Sequence, residues 1–199
     1  MENKAERPAA EKQDAKETFL DYLHDLIYIL TAALLLCLLC FRVVVVSGSS
    51  MYNTLVDGDY LLLISNVFYR NPQQGDIVVA SKGSFENGAP IVKRVIATEG
   101  QTVDIDFSAG IVYVDGAALE EDYTYTLTNL DEGVSFPQVV EEGHVFLMGD
   151  NRNKSRDSRS PDIGQVDERE ILGKAIFLFM PGTNEGNDKI DFSRIGALG

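Results

Sequence analysis

A chain of 199 residues has room for one moderate domain and an appendage. Its formal net charge of −14 argues against a nucleic-acid partner and against electrostatic attachment to anionic lipid, because both require clustered lysine and arginine. The two histidines, His24 and His144, are too few for a multi-histidine metal site, and both cysteines lie inside one apolar run. We therefore expect no metal ion and no disulfide in the rest of the chain.

The first element in chain order is the apolar run from Leu26 to Val46, in which Arg42 is the only charged residue. About 20 such residues span the roughly 30 Å hydrocarbon core of a bilayer. A buried core helix is one alternative, but such helices are rarely apolar on every face. A cleaved signal peptide is another, but its apolar stretch is about 7–15 residues long and ends in an A-x-A-like site, which "VVVVSGSS" lacks. We predict a transmembrane anchor over residues 19–46, preceded by a charged, disordered tail over residues 1–18.

The distribution of basic residues predicts the orientation of this anchor. Lysines and arginines precede the span, whereas after Arg42 the next basic residue is Arg70. This asymmetry favours a cytoplasmic N-terminus. We therefore expect residues 47–199 to form an extracytoplasmic domain of a single-pass protein of the cell membrane, with the lipid bilayer as one partner.

Beyond the span the pattern predicts strands. Short runs rich in Val, Ile, Phe and Tyr are bounded by Gly, Pro, Asn or Asp: "DYLLLISNVF", "DIVVASK", "PIVKRVIATEG", "TVDIDFS", "GIVYVDG" and "HVFLMGD". "DFSAGIVYVDGAAL" predicts consecutive hairpins that turn at residues 108–110 and 115–116. "ILGKAIFLFMPG" predicts a strand pair or one long strand, with a helical turn before it at residues 168–171. Residues 123–140 are predicted to be an excursion or a substrate-side loop. The predicted fold class is mainly β, an antiparallel sheet domain on one N-terminal transmembrane helix.

Three serines and a glycine crowd the stretch "VSGSSMYNTL" directly after the span. A serine hydroxyl is a poor nucleophile until a base removes its proton. No G-x-S-x-G elbow surrounds Ser50, and Asn53 stands where an S-x-x-K motif requires lysine. A catalytic serine here would need a base from elsewhere in the chain, and His144 is the candidate histidine outside the span.

A second candidate base is Lys93, in the predicted strand "IVKRVIATEG". Strand alternation places Lys93 and Arg94 on opposite faces, so we expect one to point toward an apolar face and the other toward solvent. Desolvation lowers the pKa of a buried, unpaired lysine by several units from about 10.4, and the neutral amine is a competent general base. The alternative is a paired or snorkelling lysine on an edge strand, with no chemical role.

The third unusual stretch is the polar loop "GDNRNKSRDSRSPD", Gly149 to Asp162. Its alternating donors and acceptors are typical of a solvated turn with internal capping bonds. They would also suit a brace: Ser155 could hold an amine by a hydrogen bond, and Asp157 could pair with Arg159.

Taken in order, these motifs resemble those of bacterial type I signal peptidases, also called leader peptidases. In that family a serine directly before methionine is the nucleophile, and "GSSMYNTL" places Ser50 there. A lysine followed by arginine is the general base, which "KRVIATEG" matches at Lys93. "GDIVV" at 75–79 corresponds to another family box, and "MGDNRNKSRDSR" at 148–159 resembles the final one. The resemblance covers residues 42 to about 182, and the short chain resembles the compact Gram-positive-like form.

The resemblance implies a role for each matching residue. Ser155 would orient the lysine, Asp157 and Arg159 would form a structural ion pair, and Met51 would contact the substrate. The Ser50 backbone N–H would be one oxyanion donor. The second would be the Gly48 backbone N–H or a neighbouring hydroxyl, from Ser47 or Ser49. No metal or cofactor is called for.

The expected activity is that of a Ser/Lys endopeptidase that removes signal peptides from exported precursor proteins just outside the membrane, at sites with small P1 and P3 residues. Two departures from the family pattern lie near the motifs: Asn53 replaces a usual proline, and "VIATEG" replaces "VIGLPG". Two alternatives remain open. One is a Ser/Lys protease specialised for a few surface proteins, and the other is a non-catalytic, membrane-anchored peptide-binding domain.

Overall fold

The computed structural model describes residues 7–183 and 190–198, with side chains from Thr18 onward except that of Glu86. The chain divides into two compact units, Met1–Cys40 and Phe41–Gly199. The first contains one helix, α1 (Arg7–Cys40). The second contains twelve strands within the described residues: β1 (Phe41–Val45), β2 (Tyr60–Ser65), β3 (Ile77–Ser81), β4 (Pro90–Thr98), β5 (Thr102–Asp106), β6 (Ile111–Val114), β7 (Ala117–Ala118), β8 (Gln138–Val139), β9 (His144–Met148), β10 (Val166–Asp167), β11 (Ile171–Met180) and β12 (Gly196–Ala197).

The helix is long and apolar enough to cross a membrane over Thr18–Cys40, where the mean hydropathy is 2.2 and no side chain is buried by the protein. This is consistent with a membrane anchor. The helix differs from the predicted anchor at both ends. It begins at Arg7, so residues 7–18 of the predicted disordered tail are helical, whereas residues 1–6 lie outside the described residues.

The helix also ends at Cys40, six residues before the predicted end of the anchor at Val46. Residues 41–45 instead form strand β1, which pairs with β2 from Phe41 opposite Ile64 to Val45 opposite Tyr60. β-branched valines fit a pleated strand better than a helix, and β2 supplies the hydrogen-bonding partner. The apolar run is therefore divided between two kinds of structure.

The second unit is mainly antiparallel β, as the sequence predicted, and the structure divides its strands between two sheets. The larger has the order β1-β2-β11-β3-β4-β9-β10, with β12 beside β11, and the smaller has the order β7-β6-β5-β8. The predicted consecutive hairpins are β5, β6 and β7. "ILGKAIFLFMPG" forms one long strand, β11, and a short 3₁₀ turn at Glu168–Glu170 precedes it.

Strand β4 brings the predicted base into the middle of the larger sheet. It pairs with β3 from Pro90 to Arg94, but with β9 only from Arg94 onward. The β9 side of Pro90–Lys93 therefore has no strand partner within the described residues. Lys93 is 4% exposed and Arg94 6% exposed, so the prediction that one of them meets solvent is wrong. Chain segments cover both faces of the sheet at this point.

Candidate active site

Residues 49–55, after β1, form a tight turn that contains Ser50 and is called the serine turn below. Its buried side chains anchor it in the core. The Tyr52 N–H donates to Ser49 O at 3.1 Å, and the Leu55 N–H donates to Met51 O at 2.8 Å. Met51 and Leu55 are buried in one hydrophobic cluster with strands of the larger sheet. These two side chains anchor the turn in the core, whereas Ser50, directly before Met51, is partly exposed.

Ser50 and Lys93, 43 positions apart in the chain, meet in the structure. The Lys93 Nζ lies 2.7 Å from the Ser50 Oγ and also donates to the Val92 carbonyl oxygen at 3.1 Å. Lys93 has no salt bridge to a carboxylate among the described residues. A serine hydroxyl and an amine at this distance can exchange a proton directly.

Burial lowers the pKa of Lys93 from 10.5 to about 8. The carboxylates of Asp157, Glu132 and Asp150 act in the opposite direction, and the Arg159 guanidinium adds to the lowering. The lysine therefore combines a short contact to a serine with a pKa at which a substantial fraction of it is neutral near pH 8.

Three contacts from the start of the polar loop hold the serine turn. The Asn151 N–H donates to Ser50 O at 3.0 Å, and the Asn151 side-chain amide donates to Ser49 O at 3.0 Å. The Thr54 hydroxyl donates to Asp150 Oδ2 at 2.5 Å. These bonds tie the backbone on both sides of the Ser50 side chain to the end of β9.

Asp150 also receives the second residue of the Lys-Arg pair. Arg94 binds it with two parallel bonds, Nε to Oδ1 at 2.9 Å and Nη2 to Oδ2 at 2.7 Å, and donates to Gly75 O at 2.8 Å. The Tyr123 ring lies over the guanidinium at 3.9 Å. Sequence reasoning missed Arg94 and Asp150 as site residues. The signal was present, because a buried arginine requires a carboxylate and Asp150 lies in the polar loop.

Asp157 and Arg159 form an ion pair in the structure. Arg159 binds Asp157 through Nε to Oδ1 at 2.8 Å and Nη2 to Oδ2 at 2.9 Å, and both side chains are fully buried. The Asp157 carboxylate also accepts the Gly149 N–H at 3.0 Å. Although burial opposes it, the Arg159 guanidinium holds the pKa of Asp157 below its ordinary value. The pair thus fixes the backbone at the start of the polar loop.

Ser155 is buried beside these groups but differs from its prediction. Its hydroxyl helps to hold Asp157 ionised, yet it makes no hydrogen bond of good geometry to any described residue, Lys93 included. A Cβ on Gly149 would lie 2.3 Å from Ser155 Oγ and 2.5 Å from Ser50 O. Glycine at position 149 therefore allows the polar loop and the serine turn to approach each other.

The structure narrows the choice of oxyanion donors. Gly48 has φ +87°, and its N–H donates to Asp57 Oδ1 at 2.7 Å, so this backbone donor is already engaged. The Ser50 N–H has no partner among the described residues. Of the two neighbouring hydroxyls, Ser47 lines the cleft beside Ser50, whereas Ser49 does not.

A cleft of about 580 Å³ opens beside Ser50 and Lys93. Its walls come from the end of β1, the serine turn and the first half of β4, and they are mostly apolar: Val44, Val45, Val46, Ser47, Ser50, Met51, Val79, Phe85, Ala89, Pro90, Ile91, Val92, Lys93 and Arg156. Met51, predicted to contact substrate, is 1% exposed and belongs to both the core cluster and this wall.

His144 lies away from this site. It begins β9, which is paired with β4 so that Met148, at the other end of β9, lies opposite Arg94. The His144 ring contacts the Glu142 carbonyl oxygen at 2.9 Å. Met148 is four positions further along the strand than His144, roughly 13 Å at about 3.3 Å per residue.

Comparison with known proteins identifies the class. The family model described as signal peptidase, peptidase S26, matches residues 19–180, so the chain is a serine protease of that class. It is 37% identical over 149 residues to a probable signal peptidase I-1 of Synechocystis sp., covering 71% of this chain and 72% of that protein. It is 32% identical to a signal peptidase I of Bacillus licheniformis, covering 83% of this chain and 91% of the relative.

Two further likenesses were found. The signal peptidase I T of Bacillus subtilis is 34% identical over 82% of this chain and 86% of its own length. A crystal structure of a signal peptidase I from Enterococcus faecalis is 30% identical and covers 52% of this chain and 96% of that one, with a TM-score of 0.41. The chain belongs to the signal peptidase I family, the serine endopeptidases that remove signal peptides from exported precursors.

Proposed function

We propose that this chain is a membrane-anchored signal peptidase in which Ser50 is the nucleophile and Lys93 the general base. The observation that carries the proposal is the 2.7 Å contact between the Ser50 hydroxyl and the amine of a lysine that is 4% exposed. A neutral lysine amine removes the hydroxyl proton, and the serine oxygen attacks the scissile carbonyl. The protonated amine then donates to the leaving amine, and water hydrolyses the acyl-enzyme.

The negative charge of the tetrahedral intermediate requires preorganised donors. Removing one such donor costs on the order of 3–4 kcal/mol of transition-state stabilisation. We assign one donor to the Ser50 N–H, which has no partner among the described residues. Because Asp57 engages the Gly48 N–H, we assign the second to the Ser47 hydroxyl, which lines the cleft.

The substrate is proposed to lie in the cleft as an added strand. The free β9 side of Pro90–Lys93 offers main-chain groups for pairing, and the neighbouring Val44–Val46 segment forms the opposite wall. Strand addition is a common way to bind an extended peptide. The mostly apolar lining supports uncharged P1 and P3 side chains, and membership of the family suggests that they are small.

Ser155, Asp157 and Arg159 are proposed to support the base. The buried pair of Asp157 and Arg159 fixes the loop through the Gly149 N–H, and Ser155, buried beside that pair, is proposed to orient the Lys93 amine. Met51 is proposed to act from the core side, by shaping the floor of the cleft.

The position of Ser50 in the chain supports the proposed substrate class. Ser50 follows the end of α1 by ten residues of chain, so the nucleophile is close in sequence to one end of the membrane-crossing segment. We propose that the N-terminus is cytoplasmic and that residues 47–199 are extracytoplasmic, where cleavage sites of exported precursors emerge.

The first experiment is cleavage of a precursor with an Ala-x-Ala site by the full chain in detergent. We expect Ser50→Ala and Lys93→Ala each to lower kcat/KM by at least about 10³-fold, since each removes one half of a unit that acts together. The wild-type kcat/KM should fall about tenfold per pH unit below pH 8, because protonation of Lys93 removes the base.

His144→Ala is the matched control and should retain wild-type activity. Full activity of Lys93→Ala together with loss in His144→Ala would overturn the assignment of the base. Absence of cleavage by the wild type on several such precursors would instead contradict the substrate class.

A further inference from the structure

Glu132 is a partly buried carboxylate in the excursion between β7 and β8. Its side chain is 10% exposed, and its Oε1 lies 3.1 Å from Arg159 Nη2. The same guanidinium binds Asp157 and donates to the carbonyl oxygens of Arg152, at 2.6 Å, and Leu130, at 3.2 Å. Arg159 therefore binds two carboxylates, of which the polar-loop motif predicted only Asp157.

Glu132 and Ser155 line the same open cavity of about 400 Å³. The Glu132 Oε1 and the Ser155 Oγ are both buried, and neither has a hydrogen bond of good geometry among the described residues. Since Ser155 lies beside Asp157 and Gly149, this cavity reaches the part of the polar loop that holds the Asp157–Arg159 pair.

The charges around Lys93 do not balance when its amine is neutral. Asp157 and Glu132 then share the one buried guanidinium of Arg159. Arg156 also acts on Glu132, but its side chain is 59% exposed and pairs with Asp162, so the buried groups carry one negative charge in excess. That excess charge favours proton uptake by the lysine, the carboxylate or both. The charged groups that face Glu132 are Asp157, Arg159, Arg156 and Lys93, and those that face Lys93 are Asp157, Glu132, Asp150 and Arg159.

The pKa values of Glu132 and Lys93 agree with this arrangement of charges. Burial, with a further contribution from Asp157, raises the pKa of Glu132 to about 7. Glu132 in turn raises the pKa of Lys93, which burial lowers to about 8. Near pH 8 the carboxylate is therefore mostly ionised while the amine is gaining or losing its proton.

We propose that Glu132 is a positioning residue for the proteolytic reaction: its carboxylate, held on Arg159, sets the pH at which Lys93 becomes a base. The inference rests on the proposed role of Lys93. It gives a chemical role to the excursion, which otherwise only surrounds the site, and it makes the onset of activity depend on a residue outside the serine, lysine and polar-loop motifs.

The test is the pH profile of kcat/KM for the full chain in detergent, with an Ala-x-Ala precursor. Glu132→Gln keeps the shape of the side chain and removes its charge. We expect its acid limb to move down by about 0.5 pH unit, so that activity one unit below the wild-type limb rises about threefold relative to the plateau. Glu132→Asp, which keeps the charge, should return the limb to the wild-type position.

Glu121→Gln is the matched control. Glu121 belongs to the same excursion, is 11% exposed and pairs with a fully buried arginine, Arg152, but it is not among the charges that face Lys93 most strongly. We expect its acid limb to stay at the wild-type pH even if its activity falls. Glu132→Met is a second charge-removing variant should the glutamine amide not be accommodated beside Arg159.

An unshifted limb in folded Glu132→Gln or Glu132→Met, or an equal shift in Glu121→Gln, would overturn the role of Glu132. Either result would leave the role of Lys93 intact provided that the wild type shows a limb near pH 8. A wild-type profile with no such limb, together with an active Lys93→Ala variant, would refute the proposed base itself.

Discussion

At the scale of single residues, an amine can act as a base near pH 8 only where its charged form is disfavoured. The low exposure of Lys93 provides this, and the three surrounding carboxylates limit how far its pKa falls. The same region leaves no room for a side chain at position 149, where an added Cβ would lie within 2.5 Å of two oxygen atoms. The site therefore requires the close approach of the polar loop and the serine turn as well as the contact between Ser50 and Lys93.

We expect Gly149→Ala to lower kcat/KM by at least about tenfold, because its methyl group must displace the Ser50 carbonyl and the Ser155 hydroxyl, and small misplacements of reacting groups are costly. The measurement is precursor cleavage by purified protein. Gly83→Ala, where an added Cβ meets nothing within 4 Å, is the control and should be fully active. Equal activity of the two variants would show that the loop contact is dispensable.

At the scale of elements, the polar loop of residues 149–162 and the excursion between β7 and β8 pair with the buried arginines around the site. Asp157 and Glu132 bind Arg159, Glu121 binds Arg152, and Tyr123 covers Arg94. The sequence predicted only that residues 123–140 form an excursion or a substrate-side loop. Its acidic and aromatic side chains instead compensate cations supplied by the sheet and the polar loop.

The two Asp-x-Arg pairs of this unit allow burial to be separated from sequence spacing. Arg159→Met leaves the fully buried Asp157 carboxylate without its cation and should lower the free energy of unfolding by about 3–5 kcal/mol. Arg169→Met breaks a pair of the same spacing whose arginine is 90% exposed, and its unfolding midpoint should not change measurably. Denaturant unfolding in detergent, followed by circular dichroism, measures both, and equal midpoints would contradict the structural role of the buried pair.

At the scale of the whole molecule, an apolar helix and an acidic β-rich unit occupy consecutive parts of the chain. The proposed function requires the second unit to be extracytoplasmic. Its acidic surface keeps such a unit soluble and contributes nothing to attachment to anionic lipid. Attachment therefore depends on the apolar helix.

We expect added protease to digest residues 47–199 in intact spheroplasts that express the full chain, because this unit is proposed to lie outside the membrane. Inverted membrane vesicles should protect the same residues and expose the N-terminal tail. Immunoblotting with antibodies to each end distinguishes the two cases, and the reverse pattern would contradict the proposed orientation.

Much of the fold and site was determined locally and was therefore predictable from the sequence. Apolar length predicted a helix long enough to cross a membrane, and β-branched runs and turn residues predicted the strands. The order of three motifs made Ser50, Lys93, Asp157 and Arg159 the candidate site residues. These features depend on the secondary-structure propensity of a short segment or on residue types that are unusual in their sequence context.

Only the tertiary structure decided the features that depend on distant partners. Residues 41–45 are a strand because β2 lies beside them, and Arg94 is buried because Asp150 and Tyr123 cover it. The Gly48 N–H is unavailable as an oxyanion donor because Asp57 accepts it, and Glu132 shares Arg159 although 27 positions separate them. Periodicity and composition describe what a segment prefers, whereas burial, ion pairing and the availability of a donor depend on which other segments the fold brings into contact.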